Sequence, residues 1–311
     1  MALVSRFAQP ISGSTSLVGV LGDPVRHSLS PVMHNAALKG LGLDWVYLAL
    51  PTPAEHLGEV LRGLEAMDCR GLNVTLPHKQ AVAALCRELS PLAERVGAVN
   101  TLVRLPNGGW LGDNTDVEGF LAPLRAGGSS WQGQRAVVLG CGGSARAVIA
   151  GLVELGCAAI QVAGRSSAHL EALLAPCRSW AKPLQGLQWT PSNRALQNAL
   201  ADADLVVNTT PVGMASATDP DAARRCPLSP GDLETLRPGS TVYDLIYTPR
   251  PTALLQTASA RGCQSLDGLE MLVQQGAASL RLWSGLTEVP VTAMRQAALQ
   301  QLKIEIKQGE S

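Results

Sequence analysis

Several polar residues stand where apolar runs of this chain end, and their types and spacing define specific chemistry. Ala136-Val137-Val138-Leu139 is a buried-strand pattern, and Gly140-Cys141-Gly142-Gly143-Ser144-Ala145 follows it. G-x-G-x-x-A between a strand and a helix is the pattern that holds a dinucleotide pyrophosphate. Gly140 permits the tight turn, Gly142 lets the backbone approach the phosphates, and Ala145 keeps helix and strand close. Gly143 and Ser144 complete the loop, and the N–H groups and positive dipole end of the helix that follows face the phosphates. The next strand, Ala158 to Ala163, ends in Gly164-Arg165-Ser166-Ser167. An NAD site would carry an acid there for the ribose 2′-hydroxyl, whereas a cation suits a 2′-phosphate, so Arg165 and Ser166 favour NADP. A surface arginine at a turn is the plainer reading. Asn208-Thr209-Thr210-Pro211-Val212-Gly213-Met214 lies at the carboxyl end of a further parallel strand, the edge at which open α/β sheets take ligands.

The first half of the chain holds a second set. Ser28 and Ser30 lie two residues apart ahead of Pro31, where serine followed by proline reads as an N-cap and a first helical residue. Capping explains Ser30 without a ligand, but the pair of hydroxyls beside a helix start also suits a small carboxylate. Asn73 and Thr75 share one face of a strand. Lys79 is expected in the first turn of a helix from Gln80 to Leu89, where a cation opposes the macrodipole. Such a local conflict marks function, and the helix field would favour a neutral amine able to shuttle a proton. Asn100 interrupts an apolar run, Val96 to Val103, as a turn residue or a ligand contact. Thr115 or Asp116 is placed to cap a helix from Val117 to Leu124.

These residues need elements to position them. Apolar runs predict strands at Leu17–Gly22, Trp45–Leu50, Gly71–Leu76, Ala203–Asn208, Thr241–Ile246 and Cys263–Leu266. Helical spacing predicts helices from Ser30 to about Lys39, Ala54–Met67, Ala145–Leu155, around Leu254 and Leu255, Leu269–Trp283 and Val291–Leu302. Residues 215–238 read as a long surface loop with a short helix. At 311 residues and 46% hydrophobic, the chain can build two domains with sizeable cores. Lys+Arg and Asp+Glu are both 25, so the basic excess of a nucleic-acid binder is missing. No apolar run reaches membrane-spanning length, and Met1–Gly13 lacks the pattern of a signal peptide. Seven cysteines without a C-x-x-C read as reduced thiols in a cytoplasmic protein, and the five histidines show no ligand spacing, so no metal is expected.

Taken together and in order, several stretches make the chain resemble the shikimate dehydrogenase family. They are Gly22-Asp23-Pro24-Val25-Arg26-His27-Ser28-Leu29-Ser30-Pro31, Asn73-Val74-Thr75-Leu76-Pro77-His78-Lys79, Gly97-Ala98-Val99-Asn100-Thr101, Asn114-Thr115-Asp116, the glycine loop, Tyr243-Asp244-Leu245-Ile246-Tyr247 and Met271-Leu272-Val273-Gln274-Gln275. The resemblance implies an α/β fold of two domains. One is an N-terminal α/β substrate-binding domain (1–115, completed by 268–311), and the other a Rossmann-type dinucleotide-binding domain with a parallel sheet (116–267). It implies reversible, NADP-dependent reduction of 3-dehydroshikimate to shikimate, a step of aromatic amino acid and chorismate biosynthesis. Lys79 and Asp116 then resemble the catalytic pair. Ser28 and Ser30 resemble the carboxylate-holding hydroxyls, and Asn73, Thr75, Asn100, Tyr247 and Gln275 further substrate contacts. The glycine loop, Arg165, Ser166, Asn208, Thr209, Met214 and Gly268 resemble the cofactor site. Two departures stand out: His169 occupies the place where the family often has a second arginine, and Asn208-Thr209-Thr210 replaces the commoner Asn-Ala-Thr. A quinate/shikimate dehydrogenase using NAD or NADP is the alternative within the family. A catalytically silent NADPH-binding sensor and a folate-linked dehydrogenase of similar architecture lie outside it. The resemblance leaves a homodimer open as the assembly.

Overall fold

The computed structural model describes residues 11–190, 193–215 and 219–309. The amino-terminal stretch on which the missing signal peptide was read lies largely outside them. In chain order the elements are β1 (Ser16–Gly22), α1 (Ser30–Leu41), β2 (Trp45–Pro51), α2 (Leu57–Ala66), β3 (Gly71–Val74), β4 (Glu88–Leu89), α3 (Pro91–Val96), β5 (Thr101–Arg104) and β6 (Trp110–Asp113). Then come α4 (Asp116–Ala126), β7 (Arg135–Leu139), α5 (Gly143–Glu154), β8 (Ala159–Gly164), α6 (Ser167–Cys177), β9 (Leu184–Gln188), α7 (Arg194–Asp202) and β10 (Leu205–Asn208). The chain closes with α8 (Pro230–Leu233), β11 (Thr241–Asp244), α9 (Ala253–Ala260), β12 (Gln264–Leu266), α10 (Leu269–Ser284) and α11 (Val291–Gly309).

The described residues divide into two compact units. One holds the residues up to Ser90, Val99–Asp113 and those from Gly276 onward; the other holds Pro91–Ala98 and Asn114–Gln275. The first unit carries a mixed sheet in the order β2-β1-β3-β5-β6-β4. Its β1 runs parallel to β2 and β3, while β5 lies antiparallel to both β3 and β6. Val18, Val20, Leu21, Leu72 and Val74 are buried in this sheet, as are Met33 and Leu38 of α1 and Met294 and Ala298 of α11.

The second unit is a fully parallel sheet in the order β9-β8-β7-β10-β11-β12. Read as ranks within the unit this is 3-2-1-4-5-6, a doubly wound dinucleotide-binding topology with its switch point between β7 and β10. The period of two along β7 builds both of its cores. Ala136 and Val138 pack with Val148, Ile149 and Leu152 of α5, whereas Val137 and Leu139 pack with Leu196 and Leu200 of α7 and Leu254 of α9. Because both faces are covered by helices, the strands read as continuous apolar runs rather than alternating ones.

Several local expectations are corrected. Residues 80–89 form no α-helix; a short 3-10 turn spans Ala81–Leu85 and β4 follows. Only Val82 of that turn is buried, so there is no apolar stripe to hold a longer helix. Lys79 therefore sits in the turn before it, and the macrodipole argument made for Lys79 has no helix to rest on. Val96 ends α3 rather than opening a strand, since Gly97 at φ 66° turns the chain before β5 begins at Thr101. The N-cap of α1 is Leu29, with Ser30 already the first helical residue. Thr115 occupies the N-cap position of α4 without a side-chain capping bond, and Asp116 is the first helical residue. Helices α6 and α7 and strand β9 answer to no element read from the sequence, and α11 continues to Gly309.

Candidate active site

In the first unit β1 and β3 are parallel and in register, Leu21 opposite Val74, so the loops leaving their carboxyl ends emerge side by side. The loop after β1 carries Ser28 and leads into α1 at Ser30. Ser28 is half-buried and its Oγ accepts the Ser30 N–H at 3.2 Å; Ser30 is 5% exposed. The loop after β3 carries Thr75 and Lys79, both half-buried. Three contacts pin this turn: Thr75 N–H donates to Leu21 O at 2.9 Å, Val99 N–H donates to Lys79 O at 2.7 Å, and buried His78 Nε2 lies 2.7 Å from Thr52 O. The second of these fixes the backbone at Lys79 while its side chain stays partly accessible. Ser28, Ser30, Thr75, Lys79 and Asn100 thus belong to loops, a helix start and strand ends at one edge of one sheet, the edge where such sheets take ligands.

Beneath them lies a buried polar network. Tyr47 Oη donates to Asn73 Oδ1 at 2.8 Å, and Asn73 Nδ2 donates to Ser279 Oγ at 2.8 Å and to the Asn100 carbonyl at 3.2 Å. The hydroxyls of Thr101 and Ser279 are 2.8 Å apart, and Thr101 Oγ1 donates to Asn100 Oδ1 at 3.1 Å. The His34 ring stacks on Tyr47 at 4.1 Å, with its nitrogens 2.9 Å from Ser30 O and 3.2 Å from Gly276 O. Burial drives the His34 pKa from 6.5 down to about 4, against the pull of those two carbonyls. The Tyr47 phenol is likewise pushed up by desolvation. The network fixes the amides of Asn73 and Asn100. Tyr47, Thr101, Ser279 and His34 were not singled out in the sequence, where each reads as part of an apolar strand or helix. The one available signal was a polar atom inside such a run, which needs a buried partner.

In the second unit Asp116 is 4% exposed at the first residue of α4, a favourable place for a carboxylate. Gly119, one turn on, lies so close to α10 that an added Cβ would meet the Met271 carbonyl at 2.6 Å and Gln275 Cβ at 2.9 Å. Asp116 and buried Gln275 are therefore brought near one another by the α4–α10 contact. Tyr247 is half-buried in the loop beyond β11.

The glycine loop lies at the switch point. Gly140 has φ 107°, which a side chain rarely adopts, and a Cβ there would strike Thr210 Cγ2 at 2.8 Å and Thr209 Oγ1 at 2.9 Å. Thr209 Oγ1 in turn donates to Leu139 O at 2.8 Å, so the loops after β7 and β10 are braced against each other. A Cβ at Gly142, by contrast, would meet nothing within 4 Å, and no side chain caps α5, whose N-terminus follows. That open cradle before a helix start fits a pyrophosphate. Arg165 is exposed at the end of β8, its guanidinium in no ion pair among the described residues, and Ser166 caps α6 by accepting the His169 N–H at 3.3 Å. The set fits a 2′-phosphorylated dinucleotide. Met214 is 40% exposed beyond β10. Gly268 has a packing reason of its own: a Cβ there would run into the Leu245 carbonyl. Among the described residues, no group of three or more His, Cys, Asp or Glu is placed to hold a metal ion, and no helix is long and apolar enough to cross a membrane.

Comparison with known proteins gives these features a context. The chain is 50% identical over 298 residues to an NADP-dependent shikimate dehydrogenase of Synechocystis sp., covering 94% of this chain and 98% of that one. The chain belongs to the shikimate dehydrogenase family. Family models for the shikimate dehydrogenase substrate binding domain and the shikimate 5'-dehydrogenase C-terminal domain match residues 20–102 and 268–299. Among solved structures, shikimate 5-dehydrogenase from Thermus thermophilus in complex with NADP(H) and shikimate superposes with a TM-score of 0.79. It is 37% identical, with 92% of this chain and 99% of that chain covered. Quinate dehydrogenase from Corynebacterium glutamicum in complex with NAD superposes with a TM-score of 0.82 at 32% identity, with coverages of 92% and 99%. The family's α/β architecture with a Rossmann-type sheet is thus the fold of this shikimate dehydrogenase relative.

Proposed function

We infer that this family member reduces 3-dehydroshikimate to shikimate reversibly with NADPH. The observation that carries the inference is the 50% identity to an NADP-dependent shikimate dehydrogenase over nearly the whole of both chains. Bound NADPH supplies the hydride for the C3 carbonyl. The chain's own residues do the rest. Gly140, Gly142, Gly143, Ser144 and Ala145 hold the pyrophosphate, Arg165 and Ser166 the 2′-phosphate, and Asn208, Thr209, Met214 and Gly268 the remaining cofactor edge. Ser28 and Ser30 hold the substrate carboxylate, and Asn73, Thr75, Asn100, Tyr247 and Gln275 orient the ring. Lys79 delivers the proton to the carbonyl oxygen or steadies charge developing there, and Asp116 is the second catalytic residue. Support for the substrate residues is the shared sheet edge from which the loops that carry Ser28, Thr75 and Lys79 and lead to Ser30 leave. Support for the cofactor residues is the open cradle at Gly142 and the Arg165 guanidinium, in no ion pair among the described residues. The N-terminal α/β part serves as the substrate domain and the Rossmann-type part as the cofactor domain.

The test is oxidation of NADPH, followed by absorbance, on adding 3-dehydroshikimate to the purified protein. No oxidation under conditions where NADPH binds would reject the assignment. The fold shared with a quinate dehydrogenase bound to NAD keeps a second reading in play, oxidation of quinate as well as shikimate. Running quinate against shikimate, and NAD against NADP, in the same assay separates the two. The seven cysteines are all free thiols, which supports action in the cytoplasm. The edge of β2 that pairs with no strand among the described residues, where Leu48 is 45% exposed, supports a homodimer, to be read by sedimentation.

A further inference from the structure

Asp244 is a carboxylate that neither the substrate nor the cofactor assignment uses. It ends β11, is fully buried, and has no cation paired with it among the described residues. The charged and titratable groups that face it are Cys226 and Asp267, and Asp267 is itself paired with Arg250 at 2.7 Å. Both of its oxygens are nonetheless satisfied. Oδ1 accepts Asn208 Nδ2 at 2.9 Å and the Ile246 N–H at 3.2 Å, and Oδ2 accepts Thr252 Oγ1 at 2.7 Å. One donor ends β10, and the other two belong to the loop after β11. Asn208 Oδ1 accepts both the N–H of Thr210, at 3.0 Å, and its hydroxyl, at 2.8 Å; Thr210 Oγ1 accepts the Val212 N–H at 3.2 Å. The methyl of Thr210 is the group that a Cβ at Gly140 would strike. Ile246 and Thr252 belong to the loop after β11, and Thr252 caps α9.

A buried carboxylate without a cation is costly, and an uncharged residue of the same shape would fill the place at less cost. A conflict of this kind, kept at the carboxyl edge of the sheet, marks function rather than stability. We propose that Asp244 is a positioning residue of the cofactor site: through Asn208 and Thr210 it holds the loop after β10 in shape against the glycine loop, and through Ile246 and Thr252 it ties that loop to the one after β11. The proposal rests on the reading that the loop after β10 faces the cofactor. Burial raises the Asp244 pKa to about 6, so the bonds are charge-assisted near neutral pH and change on mild acidification. Once Oδ2 carries a proton it competes with the Thr252 hydroxyl, which already accepts the Leu255 N–H.

The experiment is a fluorescence titration of the intact protein and the Asp244→Asn variant with NADPH, near pH 7.5 and near pH 5.5, with melting temperatures and steady-state constants alongside. At the higher pH the variant should bind NADPH about tenfold more weakly, which is 1.4 kcal/mol. Its KM for 3-dehydroshikimate should stay within about twofold and its melting temperature should not fall, since the amide fills the same space without the buried charge. Acidification should narrow the gap between the two proteins; the 2′-phosphate titrates in the same range, so only their difference counts. Equal NADPH affinity at both pH values overturns the proposal, and so does a loss of affinity matched by a loss of stability. If Asp244→Asn does not fold, Thr210→Val decides. It removes the linking hydroxyl and should weaken NADPH binding about threefold, and unchanged affinity overturns the proposal. A wild-type protein that fails to bind NADPH rejects the cofactor reading itself, a result distinct from wild-type binding that the variants leave intact.

Discussion

Two buried titratable groups pull the stability of this protein in opposite directions as pH falls, and the balance between them is testable. His34 has its pKa lowered in the folded state, from 6.5 to about 4, by burial. Acid therefore loads the unfolded chain with a proton first, and stability is lost as pH falls from 6.5 toward 4. Between pH 7.5 and pH 5 the linkage relation gives a loss of about 2 kcal/mol. Asp244 has its pKa raised by burial, from 3.8 to about 6. Here the folded state takes the proton first, so stability is gained as pH falls through 6, and over the same interval the gain is about 1.4 kcal/mol. The wild type should consequently lose only about 0.6 kcal/mol on account of these two groups. Asp244→Asn removes the compensating gain, so its loss over the interval should exceed that of the wild type by about 1.4 kcal/mol. His34→Gln removes the loss, so its stability relative to the wild type should improve by about 2 kcal/mol on acidification. Urea unfolding at the two pH values, followed by circular dichroism, reads these differences, and every other titrating group cancels between variant and wild type. The two residues lie in different compact units, so where the units unfold in separate transitions each shifts in its own direction. Parallel pH profiles for all three proteins would refute the reasoning.

Three further outcomes follow from the geometry. Lys79→Ala should lower kcat by roughly 100- to 10,000-fold while leaving shikimate affinity nearly unchanged, because a proton donor acts on the transition state; a variant with near-normal turnover removes Lys79 from its role. Arg165→Ala should weaken NADPH binding by roughly 10- to 100-fold and leave NAD binding alone, as expected for charge-assisted bonds to a 2′-phosphate, and a titration with each dinucleotide checks it. Gly268→Ala should destabilise the protein by about 1–3 kcal/mol in urea, because the new Cβ runs into the Leu245 carbonyl, a backbone atom that cannot turn aside.

What could be read from residue types alone, and what could not, follows from the range of the interactions involved. The strand–glycine–helix unit at Ala136–Glu154 was legible because its signal is local: four apolar residues, a positive φ at Gly140, and a small residue at Ala145. The parallel pairing of β7, β8 and β10 follows from the same logic, since a strand covered by helices on both faces must be apolar throughout. Lys79 has no helix dipole to oppose. The helix expected at 80–89 needed a buried stripe, and only Val82 is buried there; the turn that holds Lys79 is fixed instead by Leu21, Thr52 and Val99, all distant in sequence. The same holds for the supports of the site. Asn73 is oriented by Ser279, 206 positions away, and Asn208 by Asp244, 36 positions away. Spacing rules see neighbours at i+2 to i+4, so a hydroxyl on a helix at the far end of the chain leaves no mark in them. Asp244 was the exception that could have been caught. It closes the apolar run Thr241-Val242-Tyr243, and an acid at the end of a buried strand must either reach water or find several donors. Here it finds three, from the end of β10 and the loop after β11, at the edge of the sheet where the cofactor residues also lie, so the cost of burying its charge and the shape of the site have one cause.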